Sequence, residues 1–160
     1  MAKRSRQKCR SGCPVSVSLD LLGDRWSLLI IRDLMVRGYR SFHEFESAGE
    51  GIATNILADR LHKLGAAGIL ATEPVAGDGR GVHYRLTPKG IALAPVLLEL
   101  LIWAAHHEHT AAPCSFIARI ERSRETILAE TYRRWKERDP TPLIPSFESR
   151  AKSQERKGAR

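Results

Sequence analysis

Two of the three cysteines of this chain lie close together near its start. Cys9 and Cys13 are separated by three residues among basic side chains, and a proline and an apolar run follow Cys13 directly. Thiols in this setting could ligate a metal, act as nucleophiles, sense oxidants or be inert. A structural zinc site needs a second pair of ligands, which this spacing alone does not supply. The choice among the other chemistries depends on the element that carries Cys13.

A second group of potential ligands lies later in the chain, at His106, His107, His109 and Cys114. Their spacing matches no standard zinc site, and histidines at a helix C-terminus are compatible with the helix dipole, so we predict no metal. The GDGRG segment at 77–81 lacks the lysine and the helix that complete a phosphate-binding loop. No serine has the surroundings of a nucleophile elbow. We therefore predict no catalytic residues and no cofactor, and hence a protein that is not an enzyme.

Length and composition define the broad class of protein. The 160 residues, of which 42% are hydrophobic, are enough for one globular domain of about 100 to 140 residues plus tails. The first residues lack the apolar run of a secretory signal, and no uninterrupted apolar run approaches the roughly 18 residues that span a bilayer. We expect a cytoplasmic protein that does not enter a membrane. The odd number of cysteines argues against a disulfide scaffold.

The basic residues are concentrated at the two ends of the chain. The net charge is +8, but residues 1–13 hold five basic and no acidic side chains, and residues 150–160 hold five basic and one acidic side chain. Residues 14–149 consequently carry a net charge of −1. Such tails act as solvated arms or strengthen phosphate binding in a salt-dependent way. Nucleic-acid binding therefore depends on where individual side chains lie, not on the total charge.

Capping residues predict where the first helices begin and end. Cys13 and Pro14 open a helix, because proline is tolerated at the first helical position, and Gly23 ends it. Asp24 is a good N-cap for a second, long core helix that ends before Gly38.

A third and a fourth helix follow a short extended piece at 39–40. Ser41 and Glu44 have the spacing of a capping box, which starts a short helix. The apolar residues of 53–65 then recur at helical intervals, so we predict a helix there.

The pattern changes after this helix. Residues 70–75 and 82–86 predict a two-stranded hairpin with a glycine-rich tip, and Thr87 caps one helix that runs through Trp103. Residues 116–135 predict a last, amphipathic helix. The order helix, helix, short strand, helix, helix, hairpin, helix is that of a winged helix-turn-helix.

Four segments carry a family resemblance, and they occur in the same order as in the family: CPVSVSLDLLGDRWSLLIIRDLM, RSFHEF, GIATNILADRLHKLGAAGIL and HYRLTPKG. Together they resemble the HxlR-type winged helix-turn-helix transcriptional regulators over about residues 13–108. The fold implied is mainly α with a small β wing, with extra N- and C-terminal dimerisation helices. We expect four regions: a basic N-terminal arm at 1–12, the DNA-binding domain with a dimerisation helix at 13–108, a C-terminal amphipathic helix at 109–138 and a disordered basic tail at 139–160.

The helix at 53–65 is the recognition helix of such a fold, which lies in the major groove of DNA. Its leucines must face the core, so the exposed positions at its start are the predicted DNA contacts: Ala53, Thr54, Asn55, Ala58 and Asp59. Asn55 can pair bidentately with adenine, Thr54 can bond a base or touch a thymine methyl, and Asp59 could accept from a cytosine amine. A merely solvated helix face is the alternative. Many relatives carry serine at position 53, where this chain lacks that capping hydroxyl.

Three arginines are further candidates for DNA contact. Arg40, before the third helix, and Arg80, at the hairpin tip, are predicted to contact phosphates or the minor groove. Arg60 matches an arginine of the family pattern but lies nearer the core face, so a structural salt bridge competes with a phosphate contact. Its possible acidic partners are Asp20, Asp24 and Asp33.

The sequence predicts a transcriptional regulator that binds double-stranded DNA. A homodimer would bind a pseudo-palindromic site with half-sites about 34 to 36 Å apart. The resemblance implies a repressor, since relatives mostly occlude promoters. A winged-helix module that binds other proteins through its apolar helices, without specific DNA binding, is the alternative.

Cys13 is the candidate for receiving a signal. At a helix start, the dipole and free N–H groups lower the pKa of a thiol. The resemblance implies a redox role, because many relatives use a cysteine at this Cys-Pro position to sense oxidants or electrophiles. An inert cysteine and a small-molecule effector pocket both stay open as alternatives.

Overall fold

The computed structural model of the chain describes residues 12–75 and 81–143. Its helices and strands are α1 (Pro14–Leu22), α2 (Ser27–Arg32) with a π-helical turn (Asp33–Arg37), α3 (Phe42–Glu46), α4 (Thr54–Ala66), β1 (Leu70–Pro74), β2 (Val82–Leu86), α5 (Pro88–Ile91), α6 (Ala94–His107), α7 (Cys114–Arg122) and α8 (Arg124–Glu137). A mainly helical fold with a small two-stranded wing is the predicted fold class, which is thereby confirmed.

The second helix differs from the single long helix that the sequence predicted. It changes at Asp33 into a π-helical turn, which Gly38 ends in a left-handed conformation with φ of 75°. The Asp33 carboxylate is buried at this turn and forms two salt bridges. Its Oδ1 lies 2.8 Å from Arg32 Nη2 and 3.2 Å from Arg37 Nη1. Burial raises the pKa of Asp33, and the two guanidiniums act in the opposite direction. Arg32 also binds Glu50 at 3.0 Å and so ties this turn to the segment before α4.

The predicted capping box at the start of α3 is confirmed. Ser41 Oγ accepts a hydrogen bond from the Glu44 backbone N–H at 3.3 Å, and Glu44 Oε2 accepts from the Ser41 N–H at 2.7 Å. Phe45 on this helix is 2% exposed and packs into the main core. The short helix is therefore anchored at its start by polar contacts and along its inner face by an aromatic ring.

β1 and β2 form the wing, an antiparallel hairpin in which Leu70 pairs with Leu86 and Pro74 pairs with Val82. Leu70 and Leu86 are buried at the base of the wing, whereas Val82 is exposed. The extended piece at 39–40 runs beside β2, and the Arg40 carbonyl accepts a hydrogen bond from the backbone N–H of Tyr84 at 2.7 Å. The predicted DNA contact Arg80 lies outside the described residues.

The single helix predicted from Thr87 to Trp103 is in fact two helices. Thr87 caps α5 as expected, because its hydroxyl accepts from the Gly90 N–H at 3.2 Å. The chain then turns before α6 because Pro95 has no N–H to donate to the Ile91 carbonyl, four residues earlier, and its ring crowds the preceding turn.

The C-terminal part also differs from its prediction. The expected last helix is two helices, α7 and α8, which meet at Ser123, where φ is −120° and ψ is 26°. Residues 139–143 are placed against the protein rather than disordered: the Leu143 N–H donates to the Val36 carbonyl at 2.7 Å. A Cβ at Gly38 would overlap the Pro140 carbonyl. The rest of the predicted tail lies outside the described residues.

Two apolar clusters stabilise these elements. The main core lies between the wing base and the first four helices, and its buried members are Ile30, Ile31, Phe45, Leu57, Leu61, Leu64, Ile69, Leu70, Leu86 and Ile91. A smaller cluster of Leu98, Ile102 and Ile120 joins α6 to α7, with Ile127 and Leu128 of α8 packed against it. The main core positions α4, and the smaller cluster positions the last two helices.

By length and composition alone, the helical stretch Pro88–His107 could cross a membrane. Its apolar sequence contains two charged residues, Lys89 and Glu99, and Leu98 and Ile102 on one side of the helix are buried in the smaller cluster. A core helix of a soluble protein has these properties too.

Candidate nucleic-acid interface

The start of α4 presents an exposed polar face opposite a buried leucine stripe. Leu57, Leu61 and Leu64 are between 0% and 4% exposed and fix the rotation of the helix. The exposed positions at the other side are Ala53, Thr54, Asn55 and Ala58. Since 3.6 residues make a turn, residues 54, 55 and 58 form one continuous surface. Together with Ala53, the residue before the helix, this surface contains four of the five predicted positions on the recognition helix.

Thr54 is oriented by a contact that the spacing of the sequence did not indicate. Its hydroxyl donates to Glu46 Oε1 at 2.7 Å, which ties the start of α4 to the end of α3. With its proton committed, the hydroxyl oxygen remains an acceptor toward a ligand. Asn55 is exposed, and no side chain among residues 12–75 and 81–143 is hydrogen-bonded to its amide. Asn55 therefore keeps both donor and acceptor capacity, as base recognition requires.

Asp59, the fifth predicted position, is less available than expected. Its Oδ2 lies 2.8 Å from Lys63 Nζ, one turn further along α4. The hydrogen bond from Lys63 is the main reason why the pKa of Asp59 is lowered. Its contact with a cytosine amine stays a prediction, and it would have to compete with Lys63.

Arg60 makes the salt bridge that the sequence offered beside a phosphate contact. Its Nε lies 3.4 Å from Asp24 Oδ1, and its side chain is 25% exposed. The N-cap of α2 is Trp26 rather than the predicted Asp24. Asp24 lies two residues earlier, where its Oδ1 accepts from the backbone N–H groups of Trp26 at 2.8 Å and Ser27 at 3.0 Å. Of the three aspartates considered, the structure pairs Arg60 with Asp24. The salt bridge joins the recognition helix to the start of α2.

The pKa of Asp24 reflects this crowded site. Burial alone would raise its pKa, but the Ser27 hydroxyl, the two backbone N–H groups and the Arg60 guanidinium together hold it below its usual value. The hydroxyl contact, from Ser27 Oγ to Asp24 Oδ2, is 2.5 Å long. Asp24 is therefore ionised at neutral pH and accepts these hydrogen bonds as a carboxylate.

Arg40 makes a contact within the protein that its sequence position did not indicate. Its Nη2 donates to the Arg138 carbonyl at 3.2 Å, at the end of α8. It also lines a cavity of about 30 Å³ together with Arg85 and Trp135. A second cavity, under Trp26, is about 10 Å³. Each is large enough for one or two water molecules rather than for an organic effector.

Cys13 lies at the N-cap of α1, as the sequence predicted, and the structure shows that it is exposed. Hydrogen bonds from the backbone N–H groups of Ser16 and then Val15 lower its pKa. Cys9 lies outside the described residues. Cys114, which the sequence indicated only as a potential metal ligand, is exposed at the first position of α7. Both described cysteines are thus accessible to oxidants.

The histidines near the end of α6 do not assemble a metal site. Among residues 12–75 and 81–143, no three His, Cys, Asp or Glu side chains converge as metal ligands would. His106 Nε2 lies 2.7 Å from Glu121 Oε1, and the ring of His107 packs beside Trp103 with centroids 5.4 Å apart.

Two helices, α1 and α6, carry large apolar side chains that are exposed. They are Val15 and Leu19 on α1 and Val96, Leu100 and Trp103 on α6, which are 44% to 66% exposed. We call these five residues the α1–α6 apolar face. The members on α6 follow the i, i+4, i+7 spacing of one helix side. Exposed apolar side chains that lie together in this way mark an interaction surface.

Comparisons with known proteins agree with this architecture. A family model described as an HxlR-like helix-turn-helix matches residues 21–111. The uncharacterised HTH-type transcriptional regulator YvaP of Bacillus subtilis is 34% identical over 93 residues, which cover 58% of this chain and 85% of YvaP. The redox regulator HypR in its oxidised form superimposes with a TM-score of 0.55 at 30% identity, over 61% of this chain and 100% of HypR. The reduced form of the transcriptional regulator YodB from B. subtilis gives a TM-score of 0.52 at 36% identity, over 61% and 95% of the two chains.

Proposed function

The chain belongs to the HxlR-like helix-turn-helix family of transcriptional regulators, and on this premise we propose that it is a homodimeric repressor whose affinity for DNA responds to oxidants or electrophiles. Regulators of this family bind DNA and are not enzymes. The proposed partners are a pseudo-palindromic operator in double-stranded DNA and a second copy of the chain, in the cytoplasm.

The exposed start of α4 carries the DNA-binding proposal. Thr54, Asn55 and Ala58 share one surface, and the leucines behind them leave the helix no freedom to rotate. Ala53 has no side-chain acceptor for the first N–H groups of α4, so these groups can face a phosphate at the positive end of the helix dipole. Polar side chains that can bond base edges thus lie beside backbone N–H groups that can bond phosphates.

A mobility-shift experiment with the DNA upstream of the chain's own gene tests this proposal. Asn55→Ala removes the bidentate group and is expected to weaken specific binding by about 1 to 3 kcal/mol, that is, about 5- to 150-fold. Glu125→Ala, on the exposed start of α8, is the control and should bind as the wild type does. No specific shift by the wild-type chain, or equal binding by the Asn55 variant, would contradict the proposal.

Arg40 is not the clean probe that its sequence position indicated. Its guanidinium is bonded to the end of α8, so Arg40→Ala would disturb that contact together with any phosphate contact. Contacts to DNA by Arg40, Arg60, Arg80 and Asp59 remain predictions.

The α1–α6 apolar face supports the homodimer. Its side chains are as exposed as surface residues, although they are of the type that a protein buries. In a two-fold dimer the same face on both copies covers itself. A protein-binding module that uses this face for another partner is the competing function, and a monomeric mass in solution would favour it.

The oxidant or electrophile is proposed to react at Cys13. The thiol is exposed, its pKa is lowered by two backbone N–H groups, and it lies at the N-cap of α1, two residues before Val15 of the α1–α6 apolar face. The redox regulator HypR is a relative of similar fold, which supports a redox role. Oxidation at the start of α1 would alter the surface through which the two copies meet.

A further inference from the structure

The last turn of α8 lies against the wing and is hydrogen-bonded to it. Trp135 Nε1 donates to the Leu86 carbonyl on β2 at 2.8 Å, and Arg85 Nη2, also on β2, donates to the Trp135 carbonyl at 2.8 Å. The Arg85 guanidinium lies over the Trp135 ring, 5.5 Å from its centroid. Trp135 thus donates one hydrogen bond to β2, accepts another from it and stacks its ring against a guanidinium of the same strand.

Arg138, directly after α8, contacts the other strand. Its Nη1 donates to Glu73 Oε2 on β1 at 2.8 Å, and its carbonyl accepts from Arg40 Nη2 at 3.2 Å. Within residues 12–75 and 81–143 it is the only non-glycine residue with a positive φ, which is 60°. Glycine is the residue that this conformation favours. A glycine would suit this backbone conformation but could not make the side-chain bond to Glu73.

The contacts with α8 add to those that the wing makes with the core, where Leu70 and Leu86 are buried. A two-stranded hairpin on its own is at best marginally stable in water. Tyr84 packs edge-on against Phe45 of the core, with ring centroids 6.0 Å apart. Because side chains alternate along a strand, Arg85 points to the opposite face, where it meets Trp135. The core holds one face of the wing and α8 holds the other.

The far end of α8 is fixed to a different element. Ile127 and Leu128 pack against the smaller cluster, whose members Leu98 and Ile102 belong to α6. The 14 residues of α8 span about 21 Å, from α6 to the wing. The family model ends at residue 111, so α8 lies beyond the part of the chain that it matches.

We propose that α8 is a strut that sets the angle of the wing relative to α4, and that Trp135 and Arg138 are positioning residues for DNA binding. This inference rests on the proposed DNA-binding function. Neither residue needs to touch DNA, because each acts through β1 or β2. A wing released from α8 would meet the DNA backbone in many orientations, so that fewer phosphate contacts would form at once.

Two conservative variants test the strut. Trp135→Phe keeps a ring under Arg85 but removes the N–H that bonds Leu86. Arg138→Gly suits the left-handed φ and so keeps the end of α8, but it removes the bond to Glu73. The matched controls on the same helix are Tyr132→Phe, which changes another aromatic side chain, and Lys136→Ala, which removes one exposed positive charge.

Hydrogen exchange of the free protein is the first measurement, and it needs no DNA. In both variants the amides of β1 and β2 are expected to exchange about three- to ten-fold faster, because the wing has one hydrogen bond fewer, while the amides of α4 keep their protection. The controls should leave the wing unchanged. Exchange that is unchanged in the variants, or that rises equally in α4 and the wing, would show that α8 does not hold the wing specifically.

DNA affinity measured by fluorescence anisotropy between about 50 and 200 mM salt is the second measurement. The variants are expected to bind about ten-fold more weakly, and the slope of log K against log salt should fall by about one for each phosphate that the wing no longer reaches. Affinity and slope equal to those of the controls would refute the positioning role, even if the wing exchanges faster. If the wild-type chain does not bind specifically, the proposed function fails, and hydrogen exchange alone then decides whether the strut exists.

Discussion

Removal of the Asp24 carboxylate should destabilise the protein more than the loss of an ordinary helix cap. Asp24→Ala takes away the acceptor of the backbone N–H groups of Trp26 and Ser27, and loss of hydrogen bonds to this carboxylate costs about 1 kcal/mol. It also leaves the Ser27 hydroxyl, on a residue that is 2% exposed, without its partner, which costs about 1 to 2 kcal/mol. The partly exposed Arg60 pair adds at most about 1 kcal/mol.

We therefore expect the free energy of unfolding to fall by about 2 to 4 kcal/mol. Urea denaturation followed by circular dichroism at one fixed protein concentration measures this loss, since the stability of a dimer depends on concentration. The double variant Asp24→Ala/Ser27→Ala should recover about 1 kcal/mol, because the orphaned hydroxyl is gone. A loss below about 0.5 kcal/mol for Asp24→Ala, or no recovery in the double variant, would refute this account of the site.

The same site makes a prediction about pH. The pKa of Asp24 in the folded state lies below its value of about 3.9 in the unfolded state. The contribution of the carboxylate to the free energy of unfolding is therefore fully present above about pH 3.9 and is lost as the pH falls through the folded-state pKa. Asp24→Asn should remove this part of the acid dependence.

A double-mutant cycle of Asp24→Ala with Arg60→Ala should give a coupling of about 0.5 to 1 kcal/mol, as expected for a partly exposed pair.

Three further predictions concern the capping box, the dimer and the thiol. Glu44→Ala should lower the free energy of unfolding by about 1 kcal/mol, because the N–H groups of Ser41 and Arg40 lose their acceptor; an unchanged urea midpoint would contradict this. Trp103→Glu, a charge on the α1–α6 apolar face, should reduce the mass measured by light scattering from two chains to one, whereas an unchanged mass would mean that the copies meet elsewhere. Diamide should release the wild-type chain and Cys114→Ser from DNA in an anisotropy assay but leave Cys13→Ser bound; equal release of all three would end the sensor proposal.

The predicted DNA-binding surface could be found from the sequence because it depends on local spacing. The leucines at 57, 61 and 64 allow only one rotation of the helix, and that rotation exposes Thr54 and Asn55. The capping box and the helix start at Cys13 are equally local, since each depends on residues within one turn. These features agree with the structure because no distant residue competes for them.

The roles of the arginines could not be found in this way. Three aspartates were possible partners of Arg60 by sequence, and only packing of α4 against α2 selects Asp24. The DNA contact of Arg40 stays a prediction, and the bond from its guanidinium to a carbonyl 98 residues away could not be read from the sequence. Long flexible side chains take the partner that tertiary packing brings near, and spacing along the chain carries no information about that partner.

The sequence alone determined the order of elements, the family, the exposed start of α4 and the position of Cys13 at a helix start, because helical periodicity, capping and turn chemistry act over a few residues. Only the tertiary structure decided that Arg60 pairs with Asp24 and that Arg40 and Trp135 line one cavity at the base of the wing. It also decided that the C-terminal helix breaks at Ser123 and that residues 139–143 lie against the π-helical turn. These outcomes depend on contacts between segments far apart in the chain, which form only when the two apolar clusters have brought those segments together.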